Sequence, residues 1–148
     1  MFEIKGAIVG VRKASLPNDT EFIIRLLGYI DLSIYPEATD IENPDDQWFV
    51  YEDNQKIVGS VTARRSRGEI RHIIVLPNHR RKGIGSQLAS RAVEFLRSIG
   101  YSSVWGQVRV ENKKSQRLFK NLGFKRESRP ITSLKDPKVK LYKYVLIL

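Results

Sequence analysis

The segment from Ile70 to Ile99 constrains the fold more than any other. An apolar, β-branched run, Ile70–Leu76, stops at Pro77. A basic glycine turn follows, His79–Ser86, reading His-Arg-Arg-Lys-Gly-Ile-Gly-Ser. An amphipathic pattern, Gln87–Ile99, then ends at Gly100. The run reads as a central strand buried on both faces. In the pattern after it, Leu88, Ala92, Phe95, Leu96 and Ile99 recur at helical spacing. A strand that becomes a helix through two glycines needs a sheet to join and a sheet face to cover, so the chain belongs to the α/β class. The turn also gathers the unpaired amides of a helix start, the positive end of its dipole, and the charges of Arg80, Arg81 and Lys82. Such an assembly binds phosphate.

The flanking sequence supplies the remaining elements. Ala7–Ala14 reads as a strand and Ser15–Gly28 as a helix, with Ser15 or Asn18 as cap and Phe22, Ile23, Leu26 and Leu27 on its buried face. Tyr29–Tyr35 reads as a short helix stopped by Pro36, and Glu37–Asp46 as an acidic loop. Gln47–Tyr51 and Lys56–Arg64 form a hairpin across Glu52-Asp53-Asn54-Gln55, and Glu69–Leu76 is the next strand. Ser102–Val110 alternates as a strand, with Val104, Gly106, Val108 and Val110 on one side. Asn112–Leu122 is a helix with Asn112 as cap and Gly123 as terminator; Ser115, Leu118, Phe119 and Leu122 share a face. Phe124–Ser128 is a short strand, Arg129–Val139 a loop, and Lys140–Leu148 a final strand. The expectation is a single-domain mixed sheet of about seven strands flanked by about four helices, with no repeat and no linker.

Composition narrows the chemistry. The chain has 148 residues, enough for one domain with a real core. Cysteine is absent, which excludes disulfides, thiol nucleophiles and thiolate metal sites, and two histidines make a poor metal set, so no metal is expected. No apolar run is long enough to span a bilayer and the first residues do not resemble a signal peptide, so a cytoplasmic location away from membranes is expected. The net charge of +10 favours a polyanionic partner, either nucleic acid through a basic surface or a ligand with several phosphates. The charge is uneven: Glu37–Asp53 has acids and no Lys or Arg, whereas Arg64–Lys82 is basic. A two-substrate enzyme with an anionic donor and a cationic acceptor has use for both halves.

Three glycine-loop readings compete for the turn. The nucleoside-triphosphatase loop needs Gly-Lys-Ser/Thr, and here the order is Lys82-Gly83 with Ser86 three residues on. The dinucleotide fingerprint needs a third glycine where Leu88 stands. The third reading fits: Arg80-x-x-Gly83-x-Gly85, after Ile73-Ile-Val-Leu-Pro77 and before a helix carrying Leu88, resembles the acyl-CoA pyrophosphate loop of the GNAT superfamily of N-acetyltransferases. Downstream, Asn112-Lys-Lys-Ser115-x-x-Leu118-Phe119 followed by Leu122-Gly123-Phe124 is similar to that family's second signature. The order of elements matches from Ile8 to Leu148.

The resemblance implies a GNAT-like fold with acetyl-CoA as co-substrate. It implies a sheet splayed between the fourth and fifth strands, with the pantetheine arm paired to main-chain groups of Ile73, Ile74 and Val75. The pyrophosphate is expected on the loop Arg80, Arg81, Lys82, Gly83, Ile84, Gly85 and Ser86, and further contacts come from Asn112, Ser115 and Phe119. The implied reaction is direct attack of a primary amine on the thioester in a ternary complex. The acceptor is a protein or peptide amine or a small polyamine-like amine. A free α-amine is roughly one tenth neutral at pH 7, whereas a lysine is neutral less than about one thousandth of the time, so a base matters most for lysine.

Glu69 is the first candidate base, acting through a water, and His72 the second. Strand alternation places Glu69, Arg71 and Ile73 on one face and Ile70, His72 and Ile74 on the other. The resemblance implies the Val75 N–H as donor to the oxyanion. Where the family commonly has an acidic tyrosine this chain has Phe119, which leaves Tyr142 or Tyr144 on the last strand to protonate the leaving thiolate. The resemblance implies an acceptor site over Tyr29–Asp46, which is acidic, and Arg129–Tyr142, which is basic. Two further functions stay open: a nucleic-acid- or ribosome-associated binding protein, and a CoA-binding regulator with little turnover. A homodimer is compatible with the family, and no interface is readable in the sequence.

Overall fold

The computed structural model describes residues 9–28, 41–127 and 129–148. The helix expected over Tyr29–Tyr35 and the first four residues, 37–40, of the expected acidic loop lie outside the described residues. Strands are β1 (Val9–Lys13), β2 (Asp46–Asp53), β3 (Lys56–Arg64), β4 (Glu69–Val75), β5 (Ser103–Arg109), β6 (Lys125–Arg126), β7 (Ile131–Thr132) and β8 (Lys140–Ile147). Among the described residues there are three α-helices, α1 (Thr20–Leu27), α2 (Ile84–Ser98) and α3 (Lys113–Asn121), with a short 3-10 turn at Pro77–His79. The sheet has eight strands, one more than expected, because Ile131–Thr132 pairs with β8 inside the expected loop.

The strand order is β1-β2-β3-β4-β5-β8-β6. The apolar run therefore lies at the centre, as its lack of polar alternation requires. Every neighbouring pair is antiparallel except β4 with β5. That parallel pair consists of one registered position, Glu69 beside Trp105. Beyond it the two strands separate.

Helices cover both faces. One face packs Phe49, Val61, Ala63, Ile70, Val104 and Val108 against Ile84, Leu88, Ala92 and Leu96 of α2 and Phe119 of α3. The other packs Trp48, Val50, Ile57 and Ile74 against Ile23, Leu26 and Leu27 of α1. Leu88 and Leu96 are fully buried, each worth about 1.5–3 kcal/mol of transfer free energy. Ile99 departs from the sequence pattern, being 46% exposed one residue past the end of α2.

Two helix starts differ from the sequence reading. α1 begins at Thr20 rather than Ser15, because Ser15–Asp19 folds into a turn closed by Asp19 N–H to the Ser15 carbonyl. α2 begins at Ile84, inside the glycine turn, which brings its free amides directly to the loop.

A bulge in β4 has the largest consequence. Ser60 pairs with Ile74 and Thr62 with Arg71, so Val61 alone faces His72 and Ile73. His72 takes φ +54°, outside the strand region. The extra residue reverses the alternation: Ile70, Ile73 and Val75 face the α2 side, whereas Ile74 faces the α1 side. The face shared by Glu69, Arg71 and Ile73 in the sequence reading is thus split at the bulge, and Ile70 and Ile74 lie on opposite faces.

Candidate active site

The splay between β4 and β5 has main-chain groups along its β4 edge. The Leu76 N–H donates to the Val58 carbonyl at 2.8 Å. In an antiparallel ladder, hydrogen-bonded pairs alternate with unbonded ones, so 58/76 and 60/74 face each other and the groups of Val75 and Ile73 point away from β3. Of these, the Val75 N–H and the Ile73 groups are open to a ligand in the splay. Ile74, also expected there, directs its main chain to Ser60 instead. The Val75 carbonyl accepts the Arg80 Nε–H at 3.0 Å, which ties the loop back to the strand.

The loop beyond Pro77 holds two left-handed residues, Arg81 at φ +65° and Gly83 at φ +76°. Alternation of this kind turns successive N–H groups toward one side. Gly83 is the N-cap of α2 and offers no side-chain cap. The first intrahelical bond runs from the Gln87 N–H to the Gly83 carbonyl at 3.1 Å, so the amides of Ile84, Gly85 and Ser86 have no partner within the helix. Ile84 anchors the helix start in the core at 3% exposure and contributes its amide only. Arg80, Arg81 and Lys82 are exposed. A Cβ at Gly85 would lie 3.5–4.0 Å from Leu118, Val75 and Ile73, so the glycine keeps clear the gap between β4 and α3. The residues present suit a diphosphate joined to an extended arm: amides and cations for the phosphates, then free strand groups for the arm.

On α3, the Asn112 Oδ1 accepts the Ser115 N–H at 3.1 Å, which makes Asn112 a true cap. Ser115 is half-buried one turn along. Phe119 is 4% exposed, edge-on to Phe124 at 4.8 Å and stacked on Tyr144 at 5.6 Å. Its ring closes the α2 side of the splay at Gly106, where side chains of any size would collide with it. Gly106 was not singled out as a site residue by sequence, since the need for a missing Cβ shows only in the packing. A wide concavity along the outer side of α2, lined by Val11, Gln87, Ser90, Arg91 and Glu94, lies beside the loop and shares only Ser86 with it.

Phe119 fills the α2 side of the splay at its root, and polar groups line the α1 side opposite it. Glu69 opens on that side, 5% exposed, with its Oε1 accepting no hydrogen bond and Arg67 Nε at 3.9 Å. Arg64 takes Asp46 in a two-pronged pair at 2.9 and 3.1 Å. Arg65 is held by the Pro44 carbonyl and Gln47 at 2.6 and 2.7 Å. Arg71, next along the same face, is half-buried and makes no hydrogen bond or ion pair with the described residues. Desolvation first, and then the charge of Arg64, lower its pKa from the ordinary arginine value. His72 stacks on Trp48 with centroids 6.1 Å apart and planes 7° apart. Desolvation and then Arg71 push its pKa down to about 4, so its imidazole is neutral at pH 7 and a weak base, although one edge stays exposed. Two buried polar atoms on this face also lack partners among the described residues, the Trp48 Nε1 and the Ser60 Oγ.

Tyr142 lies on the other face. It pairs with Val108 and shares the orientation of Tyr144, the residue stacked on Phe119, with the Arg126 guanidinium 4.2 Å above its ring. The three candidate catalytic residues are therefore spread along and across the splay: Glu69 at its closed end on the α1 side, Val75 at its open end, Tyr142 on the α2 side. Among the described residues no group of three or more His, Asp or Glu side chains converges on a metal site, and no helix is long and apolar enough to cross a membrane.

Comparison with known proteins bears on this arrangement. The family model of the acetyltransferase (GNAT) family matches residues 6–124. An uncharacterised N-acetyltransferase of Methanocaldococcus jannaschii is 36% identical over 93 residues, covering 57% of this chain and 41% of that protein. The chain spans about half or less of the length of the curated relatives it matches. Among solved structures, an acetyltransferase of Salmonella typhimurium with its cofactor acetyl-CoA superposes with a TM-score of 0.78 at 20% identity, covering 94% of this chain and 93% of that one. Spermidine N-acetyltransferase of Vibrio cholerae in complex with CoA and spermine superposes with a TM-score of 0.75 at 20% identity, covering 94% and 95%. At these identities the structures establish a shared fold.

Proposed function

The chain belongs to the acetyltransferase (GNAT) family, and on that premise we propose that it transfers an acetyl group from acetyl-CoA to a primary amine by direct attack. The observation that carries the proposal is the single-position pairing of β4 with β5, which leaves the groups of Ile73 and Val75 facing a gap that ends at the amides of Ile84–Ser86.

In this reading the loop Arg80–Ser86 holds the diphosphate and the β4 edge orients the arm. Acetyl-CoA supplies the activated acyl group; the protein supplies position and charge. A strand N–H aimed into the gap, from Val75 or from Ile73 nearer the closed end, stabilises negative charge on the carbonyl oxygen as it develops. Glu69 on the α1 side takes the proton of the attacking amine through a chain of waters, because six residues of strand, about 20 Å, separate it from Val75, more than one water spans. Tyr142 on the α2 side is the candidate to protonate the thiolate. A thiol with a pKa of about 8.5 leaves readily, so this step contributes less than the base does. Base and acid on opposite faces suit a transfer in which the amine enters from one side and the thiol departs on the other. A protein or peptide amine and a polyamine-like amine both fit this scheme.

The test is Gly83→Asp. Its Cβ meets nothing within 4 Å, and aspartate is among the residues that tolerate a left-handed φ, here +76°, at a cost of about 1–3 kcal/mol, so the fold is expected to survive while a carboxylate is set among the phosphate-binding amides. Calorimetry is expected to show acetyl-CoA binding by the wild type and none by the variant, with unchanged circular dichroism. A folded wild type that does not bind acetyl-CoA would sink the proposal.

A further inference from the structure

We propose that the acceptor amine carries an anionic group, a carboxylate or a phosphate, and that Arg71 is the specificity-determining residue that binds it. The inference rests on the acetyl-transfer reading for the identity of the reaction, and on Arg71 and its surroundings for the identity of the acceptor.

Around the closed end of the splay stand four arginines: Arg64, Arg67 and Arg71 toward the α1 face, and Arg65 over the Phe95 ring of α2 at 5.2 Å. Three carboxylates, Asp45, Asp46 and Glu69, stand with them. Three of the arginines are accounted for. Arg64 holds Asp46, Arg65 is fixed on Pro44 and Gln47, and Arg67 reaches toward Glu69 and lies over the Trp105 ring at 5.2 Å. Asp45 is taken up by the Ser66 N–H and hydroxyl at 2.8 and 2.6 Å. Arg71 is the remaining cation: half-buried, with no hydrogen bond or ion pair among the described residues, repelled by Arg64 and drawn only at longer range toward Glu69 and Asp46. Half-burying a guanidinium without a partner is unfavourable, and an anion placed beside it relieves that cost.

Its neighbours favour the same ligand. By register Arg71, Thr62 and Trp48 form one row on the α1 face. The Trp48 indole N–H is a donor without an acceptor among the described residues, and Thr62 directs its hydroxyl to the Gln47 carbonyl at 3.4 Å. Lys135, on the stretch between β7 and β8, is near enough to His72 to depress its pKa, so it adds positive charge to the same side. His72 itself is neutral. A face with an unused guanidinium, an unused N–H and a nearby ammonium complements a group that only accepts hydrogen bonds. It disfavours an acceptor with several positive charges.

The position also fits. Arg71 lies two residues from Ile73, whose main chain faces the splay, and two from Glu69, the candidate base. An anion held by Arg71 therefore sets the distance of a nearby amine from both.

The experiment compares amines that differ only in the anion, with acetyl-CoA saturating. The pairs are free amino acids against their C-terminal amides, phosphoethanolamine against ethanolamine, and peptides with Glu against Gln at the second position; spermidine is the polycation control. The three pairs distinguish a free carboxylate, a phosphate and a peptide side chain as the source. In at least one pair the anionic member is expected to have a kcat/KM at least tenfold higher, chiefly through KM. Arg71→Gln is expected to reduce that preference below threefold, through a lower kcat/KM for the anionic member, and Arg71→Lys to retain part of it. Calorimetry of the preferred acid and its amide on the protein without acetyl-CoA gives a second readout, in which binding of the acid alone is lost in Arg71→Gln. Arg71-dependent binding of the acid by a protein that does not bind acetyl-CoA would uphold the anion site and fail the transfer reading. Preference for the neutral members or spermidine, a preference that survives Arg71→Gln, or no Arg71-dependent binding of any anionic amine overturns the proposal.

Discussion

A Cβ on Gly106 would stand 3.0 Å from the ring edge of Phe119 and 3.0 Å from the carbonyl oxygen of Ile70. The glycine thus lets an aromatic ring of α3 lie against β5 at the root of the splay, where β4 and β5 part. The ring atoms nearest to Gly106 are Cε1 and Cζ, and Cζ is the atom that bears the hydroxyl in tyrosine. Phe119→Tyr is therefore expected to place a hydroxyl at the root of the splay. Turnover, followed by free-thiol release, should be unchanged or higher in that variant, and should rise in a Tyr142→Phe background. A large loss of turnover with acetyl-CoA affinity intact would mean that the site depends on an apolar ring.

Among the described residues, Glu69 is the one buried carboxylate on the α1 face with an oxygen that accepts no hydrogen bond. Removing its charge should therefore disturb the reaction more than the fold. Glu69→Gln is expected to lower kcat by about 100-fold, the low end of the range for a general base, here one that acts through waters, with acetyl-CoA affinity within twofold of wild type. The deficit should shrink as pH rises toward the pKa of the acceptor amine, where the amine no longer needs a base. Equal loss at all pH values would assign Glu69 a structural part, as the partner of Arg67.

The elements around the site were legible in the sequence because local chemistry dictates them. The bounds of β3 agree to the residue, and Asn112 caps α3 as its residue type suggests. What stayed hidden depends on partners distant in sequence. No propensity marks His72 for a left-handed conformation; the bulge comes from the register of β3 against β4, and with it come the reversal of faces and the redirection of Ile74. Asp19 shows the same limit. It occupies the cap position of α1 but makes no capping bond, because its carboxylate is taken by Arg12 and by the Ser15 N–H. Arg71 could be recognised as the remaining cation only after Arg64, Arg65 and Arg67 had been assigned to their partners.

Asp19 gives the protein a defined acid dependence. Burial raises its pKa, but the Arg12 guanidinium at 2.7 Å and the Ser15 N–H at 2.7 Å more than offset this, and the net value is below the ordinary carboxylate range. A depressed carboxylate stabilises the fold above its unfolded pKa of about 3.9 and loses that contribution as pH falls through its folded value. Asp19→Ala is expected to cost about 2 kcal/mol at pH 7, a value for hydrogen bonds to a charged group, reduced because Arg12 is one third exposed. Urea unfolding should show the gap between wild type and variant narrowing below pH 4. A gap that stays constant down to pH 2.5 would exclude the ion pair as its source.

His72 ties the geometry of the bulge to that of the site. Its φ of +54° is tolerated by asparagine and strained for a β-branched residue. His72→Asn and His72→Val both lose the stack on Trp48, so the difference between them isolates the backbone. His72→Val is expected to be less stable than His72→Asn by about 1–2 kcal/mol in urea unfolding, the cost of holding an unsuitable residue in the left-handed region. The imidazole is already neutral at pH 7, so His72→Asn should leave the pH–rate profile between pH 6 and 9 unchanged in shape. A basic limb lost in that variant would restore His72 as a base. If instead the two variants are equally stable, the left-handed residue does not constrain β4, and the opposed faces of Ile70 and Ile74 must be held by the core on each side.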